Sequence, residues 1–126
     1  MPAVRLVHEF IGYVVVALFA VGWLWGLVIW IAKRQAGDWF WRWLAAVQVV
    51  AVVQALIGVV LLVLGYRPET WLHYVYGFGP LVLLAIAHAF AREEPLRAHP
   101  WVPFAWASFF CFGLALRALT TGLGLA

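Results

Sequence analysis

Two histidines in this chain stand in matching settings. Residues 7–13 read VHEFIGY and residues 72–79 read LHYVYGFG, so His8 is followed by Gly12 and Tyr13, and His73 by Gly77 and Phe78. Imidazole is a common metal ligand, and two imidazoles at one depth can hold an iron from opposite sides. A residue four positions after a histidine lies about 40° round the same helix face. A side chain there would press on a flat macrocycle held edge-on between two helices. Gly12 and Gly77 remove that side chain, and Tyr13 with Phe78 or Tyr76 can wall the macrocycle. Each feature also has a plainer reading. A histidine near a helix end can be interfacial, and glycine is a common close-packing residue in membrane helices.

The elements that must carry these residues follow from composition. Of the 126 residues 67% are hydrophobic and 10% charged, too oily for a small soluble core. The apolar runs predict helices over roughly 4–32, 39–64, 71–94 and 101–120, each meeting the length of about 20 residues that crosses a bilayer. The first run is too long for the apolar region of a signal peptide and lacks a basic segment before it. Short connections make neighbouring helices antiparallel, so the expected fold is all-α, an integral membrane up-down four-helix bundle forming a single transmembrane domain over 1–126.

Asp38 and Thr70 read as N-caps, with stops at Gly65 and around Pro95. Trp30, Trp39, Trp41, Trp43, Trp71 and Trp101 fall at helix ends, where aromatic belts form, whereas Trp23 and Trp25 lie deeper and read as packing residues. Lys33, Arg34, Arg42, Arg92 and Arg97 share one side of the bundle, and Arg5, Arg67 and Arg117 the other. Counting five against three places the first group in the cytoplasm and both termini outside, as in a bacterial cytoplasmic membrane.

In that topology helices 1 and 3 run in the same direction, and both histidines lie close to a helix start. Helices 1 and 3 form the diagonal of a square bundle, about 11–14 Å apart when neighbours are about 8–10 Å apart. That gap suits one haem near the extracytoplasmic face with His8 and His73 as iron ligands. Propionates would need cations at that surface, for which Arg117, with Arg5 or Arg67, lies on the correct side. Arg117 can equally extend to lipid headgroups. His88 lies about 22 Å further along helix 3 than His73; it reads first as interfacial, since a second ligand at its depth is lacking and His99 is in a Pro-flanked loop. Glu9 is the carboxylate nearest the histidine pair, and an interfacial role is its default. Gln54 with Gly58 reads as an interhelical hydrogen bond and a close contact, Pro80 as a kink, and Cys111 as a small buried hydrophobe. The absence of a CxxCH stretch disfavours covalent haem, leaving haem b as the expected cofactor with its type open. The formal charge of +3 is too small and dispersed for a nucleic-acid partner.

Residues 54–65, QALIGVVLLVLG, followed by Leu72-His73, resemble the glutamine-glycine helix and the following leucine-histidine helix of haem A synthases. VHEFIGY resembles their first histidine-bearing helix. The resemblance covers roughly residues 5–80. In that family each four-helix half holds a macrocycle between two histidines near the extracytoplasmic face, which implies axial-ligand roles for His8 and His73. The family has two such halves and a glutamate one turn before the first ligand, where this chain has one half and Arg5. The departure points away from oxygenating chemistry, toward a single-half, b-type cytochrome-like protein that carries electrons or holds haem rather than a stand-alone enzyme. A haem-modifying enzyme and a cofactor-free accessory subunit of a respiratory or photosynthetic complex are the competing readings. Besides the lipid bilayer, a quinone, a redox partner protein, a second copy of the chain or a larger complex are the partners open to such a chain.

Overall fold

The computed structural model describes residues 2–123. It is all-helical: α1 (Pro2–Ile31), α2 (Asp38–Val63), α3 (Leu72–Phe90) and α4 (Trp101–Gly122), with a short 3₁₀ turn at Leu96–Ala98 before α4. All four helices are long and apolar enough to cross a membrane, and an uninterrupted helix is the means by which a single segment satisfies its own backbone in lipid. Large apolar side chains such as Phe10, Trp30, Val63 and Trp71 are exposed around the outside of the bundle, as a lipid environment allows. The chain is an integral membrane four-helix bundle.

The helix ends refine the sequence expectations. At the end of α2 the amides of Gly65 and Tyr66 bond to the carbonyls of Leu62 and Leu61 at 3.1 and 3.0 Å, with Gly65 at φ 97°. This is the glycine-terminated cap that satisfies the last carbonyls of a helix. α1 ends on the same pattern, but Lys33 occupies the left-handed position at φ 56°. Thr70 lies one residue before the N-cap position, which is Trp71, and its hydroxyl accepts from the Leu72 amide at 3.3 Å. Asp38 instead becomes the first helical residue, with Gly37 before it. α3 stops at Phe90 rather than reaching 94. Arg97 takes over there, donating from its amide to the Glu93 carbonyl at 2.9 Å and from Nε to the Arg92 carbonyl at 3.1 Å.

Packing is uneven around the square. α4 packs extensively on α1 and on α3, α1 packs on α2, and α2 touches α3 only sparsely. The α1–α4 contact is close because it is built from small residues. A Cβ added at Gly26 would come 2.7 Å from the Ala105 Cβ, and one at Gly22 would come 3.2 Å from the Ser108 hydroxyl. Without a hydrophobic force between helices in lipid, such backbone approach is what dispersion requires. Trp41, Trp43 and Trp101 depart from the interfacial-belt expectation by turning inward. Trp41 packs edge-on to Phe104, Trp43 donates to the Leu18 carbonyl at 3.1 Å, and Trp101 donates to Gln35 at 3.1 Å. A polar partner within reach of each indole nitrogen is what lets Trp43 and Trp101 leave the interface.

Candidate functional site

The starts of α1 and α3 lie at the same end of the bundle, and a cavity of about 400 Å³ opens between the helices there. His8 and His73 both line it, with their ring centres 6.3 Å apart and ring planes at 72°. The two histidines are level, as the matching sequence settings predict. A metal–nitrogen bond of about 2.0–2.1 Å plus about 1.1 Å from nitrogen to ring centre, taken on both sides, requires a separation of about 6.3 Å. The diagonal of this bundle meets that spacing.

Each ring rests on a glycine of an even-numbered helix. A Cβ on Gly58 of α2 would lie 3.3 Å from Cε1 of His8, and a Cβ on Gly122 of α4 would lie 2.9 Å from Cε1 of His73. The spacing along the chain from histidine to supporting glycine is the same in both halves to within one residue. The α1–α2 and α3–α4 hairpins each set a glycine against their imidazole.

Hydrogen bonding fixes the protonation pattern of one ring. Thr121 Oγ1 donates its single proton to a helix carbonyl, with Arg117 O at 2.8 Å and Ala118 O at 3.1 Å. Toward His73 Nδ1, 3.1 Å away, the hydroxyl can then only accept. His73 thus carries its proton on Nδ1 and keeps the lone pair on Nε2, the tautomer of an imidazole prepared to ligate through Nε2. His8 differs. Gln54 of α2 donates from Nε2 to the His8 carbonyl at 2.7 Å, while His8 Nδ1 and Gln54 Oε1 are both buried without a partner.

The other sequence candidates divide. Gly77 lines the cavity with nothing within 4 Å of where its Cβ would be, so it leaves open space as expected. Gly12 also lines it, but its open side is filled by the Gln54 amide at 3.4 Å and Leu119 at 3.5 Å. Its vacancy admits Gln54 to the His8 carbonyl. Phe78 is on the wall, whereas Tyr13 is half exposed on the outer face of α1. α1 is engaged by α2 and α4 on its flanks and shows the cavity a narrow arc; α3 barely touches α2 and shows a wider one. Arg117 lies with its guanidinium over the ring of Tyr76, a residue of the cavity wall, at 5.5 Å, a favourable site for a cation. Arg5 and Arg67 are the cations that line the cavity, and Glu9 lines it as well.

His88 is accounted for elsewhere. Its Nε2 donates to Gln48 Oε1 at 2.8 Å, and its ring meets Phe104 edge-on. His99 is bonded to Gln35 in the loop after α1. Cys111 is fully buried, its thiol reaching the Pro80 carbonyl at 3.6 Å. Thr121 and Gly122 are the site residues that the sequence reading missed. The one available signal was the repeated hairpin, which places Gly122 against His73 as Gly58 stands against His8.

Among the described residues no group of three or more His, Cys, Asp or Glu could hold a metal ion. A bare ion usually wants about four protein donors. Two imidazoles on one cavity suit a metal that arrives with its own equatorial ligands. Fold and site together define a membrane-spanning four-helix bundle with a two-histidine cavity at one end. Comparison of the chain with protein-family models, with curated proteins and with solved structures finds no match.

Proposed function

We propose that the chain is a haem-binding membrane protein, b-type cytochrome-like, in which His8 and His73 ligate one haem and the bound group serves electron transfer. The observation that carries the reading is the 6.3 Å separation of the two ring centres across a shared cavity. The cavity volume falls within the range of about 300–1,000 Å³ usual for cofactor sites. The residues fit in their chemistry as well. His73 presents its Nε2 lone pair, Gly77 leaves the wall open, and Arg5 and Arg67 offer cations for carboxylates at the rim. His8 and His73 would hold such a group, which would supply a one-electron couple. The protein holds and orients it, while the surrounding apolar helices exclude water and favour the less charged state. By the distribution of lysine and arginine the site faces the extracytoplasmic side, with both termini outside.

The test is an optical spectrum of the detergent-purified protein, oxidised and dithionite-reduced, with a pyridine haemochrome assay. One haem per chain with a sharp low-spin reduced spectrum is expected, and His8→Ala or His73→Ala should remove the pigment while the protein still inserts. A colourless wild type from haem-replete cells overturns the reading.

A further inference from the structure

The two imidazoles are not supported alike. His73 has a hydrogen-bond acceptor for its Nδ1–H in Thr121, while His8 Nδ1 is buried without one. Within the same pair of residues is the group that could serve. Gln54 Nε2 donates to the His8 carbonyl, and a carbonyl can only accept, so the amide of Gln54 cannot be turned the other way. Its Oε1 is thereby left buried and in need of a donor. Two orphaned buried groups on residues already in contact, one lacking a donor and the other lacking a partner, is a costly arrangement that a single bond would remove.

We propose that Gln54 is the positioning residue of His8, its Oε1 accepting the Nδ1–H when His8 Nε2 is used as a ligand. The proposal rests on the haem reading above. Gly58 beside the ring carries no side chain, which leaves the His8 imidazole room to turn its Nδ1 toward Gln54 Oε1. Gln54 and Thr121 would then be counterparts, each locking one imidazole in the tautomer with its proton on Nδ1. An amide or hydroxyl acceptor on the outer nitrogen makes an imidazole a stronger donor to its metal. Stronger donation favours the ferric state and lowers the reduction potential.

The experiment compares wild type, Gln54→Met, Thr121→Val and Thr121→Ser, each isolated with its haem, by haem content per chain and by redox titration. Gln54→Met keeps the length of the side chain and removes the acceptor. It is expected to retain haem and titrate at a higher potential than wild type. Thr121→Val should shift the same way, with Thr121→Ser restoring the wild-type value. Gln54→Met with full haem and an unchanged potential overturns the role of Gln54. A wild type without haem fails earlier and overturns the reading beneath it. Should Gln54→Met take up no haem, ¹⁵N-histidine labelling of the wild-type holoprotein decides. Exchange-protected Nδ1–H protons on both ligand histidines support the pairing, and protection on His73 alone overturns it.

Discussion

The two ends of the bundle are built on opposite terms. Toward the end where α2 and α4 begin, the interior is filled: Phe19, Phe40, Leu44, Phe104 and Trp101 are buried, and aromatic rings meet at 5.5–5.9 Å through Phe40, Trp41 and Phe104. Toward the end where α1 and α3 begin, the same four helices enclose a cavity lined by histidines, tyrosines and arginines. Lipid satisfies the outside of both ends equally, so only the interior distinguishes them. Close packing is concentrated where it can hold the helices, which leaves the other end free to keep polar groups that would be expensive in an empty apolar core. The packed end acts as the clamp and the open end as the site.

The largest effect should come from breaking the clamp. The Gly26 Cα approaches Ala105 so closely that any Cβ would lie 2.7 Å from the alanine methyl, and Gly22 makes a similar though looser contact one turn earlier. Gly26→Leu would therefore push α1 from α4 along their main interface. Overpacking a close contact costs about 1–3 kcal/mol, and with the backbone itself in the way the upper end applies. A loss of about 3 kcal/mol is expected in thermal or denaturant unfolding followed by circular dichroism in detergent. Both ends should suffer, and the displaced helix would also release the proposed haem. Unchanged unfolding would mean that the α1–α4 contact does not hold the bundle.

A smaller and more selective effect should come from the rests beneath the imidazoles. Gly122→Val would place its Cβ against Cε1 of His73, where 2.9 Å is already too near, and displace the ring from Thr121 and from the plane opposite His8. Gly58→Val should act on His8 in the same way, more gently, because the corresponding approach is 3.3 Å. If the cavity holds the proposed haem, then at about 1.4 kcal/mol per factor of ten, overpacking of about 1–3 kcal/mol predicts haem affinity weakened about tenfold or more for Gly122→Val. The unfolding temperature of the protein without haem should stay close to that of wild type, since neither glycine belongs to the packed core. Equal loss of haem and of fold would erase the distinction between clamp and site.

Much of this division was legible in the residues, and the remainder was not for definite reasons. Apolar run length alone located four spans, because a helix that crosses a bilayer needs a fixed minimum length. The paired His-Gly-aromatic settings located the site because two rare residues recur at matched depth. Gln54 and Gly58 were visible as a contact pair but not as neighbours of His8, since register between two helices depends on the whole interface. Thr121 and Gly122 are ordinary residues near a helix end, and only His73 gives them meaning. Trp101 is a helix-end tryptophan indistinguishable from Trp71 until Gln35, 66 residues earlier, is found within reach of its indole nitrogen. Arg117 was on the correct side of the membrane by charge counting, but its contact with Tyr76, a residue of the cavity wall, could not be read from the sequence.

The smallest effect should come from the third histidine, which tests whether an imidazole outside the cavity matters to the proposed haem. His88 bonds to Gln48, and Gln48 in turn donates to the Leu44 carbonyl at 3.2 Å, so the pair is a polar link across the sparse α2–α3 side. His88 is exposed, and removing its partner leaves no buried group unsatisfied. An interhelical hydrogen bond of this kind in a membrane bundle is worth about 0.6 kcal/mol. Gln48→Leu should therefore lower stability by about that amount and leave haem per chain, the reduced spectrum and the potential at wild-type values. The link spans the side on which α2 and α3 are otherwise least joined, so a change in retention of the proposed haem would extend the site beyond the cavity and make the α2–α3 gap part of it. With no such change, the site ends where the open cavity ends, and the link serves only to keep the two helices in register.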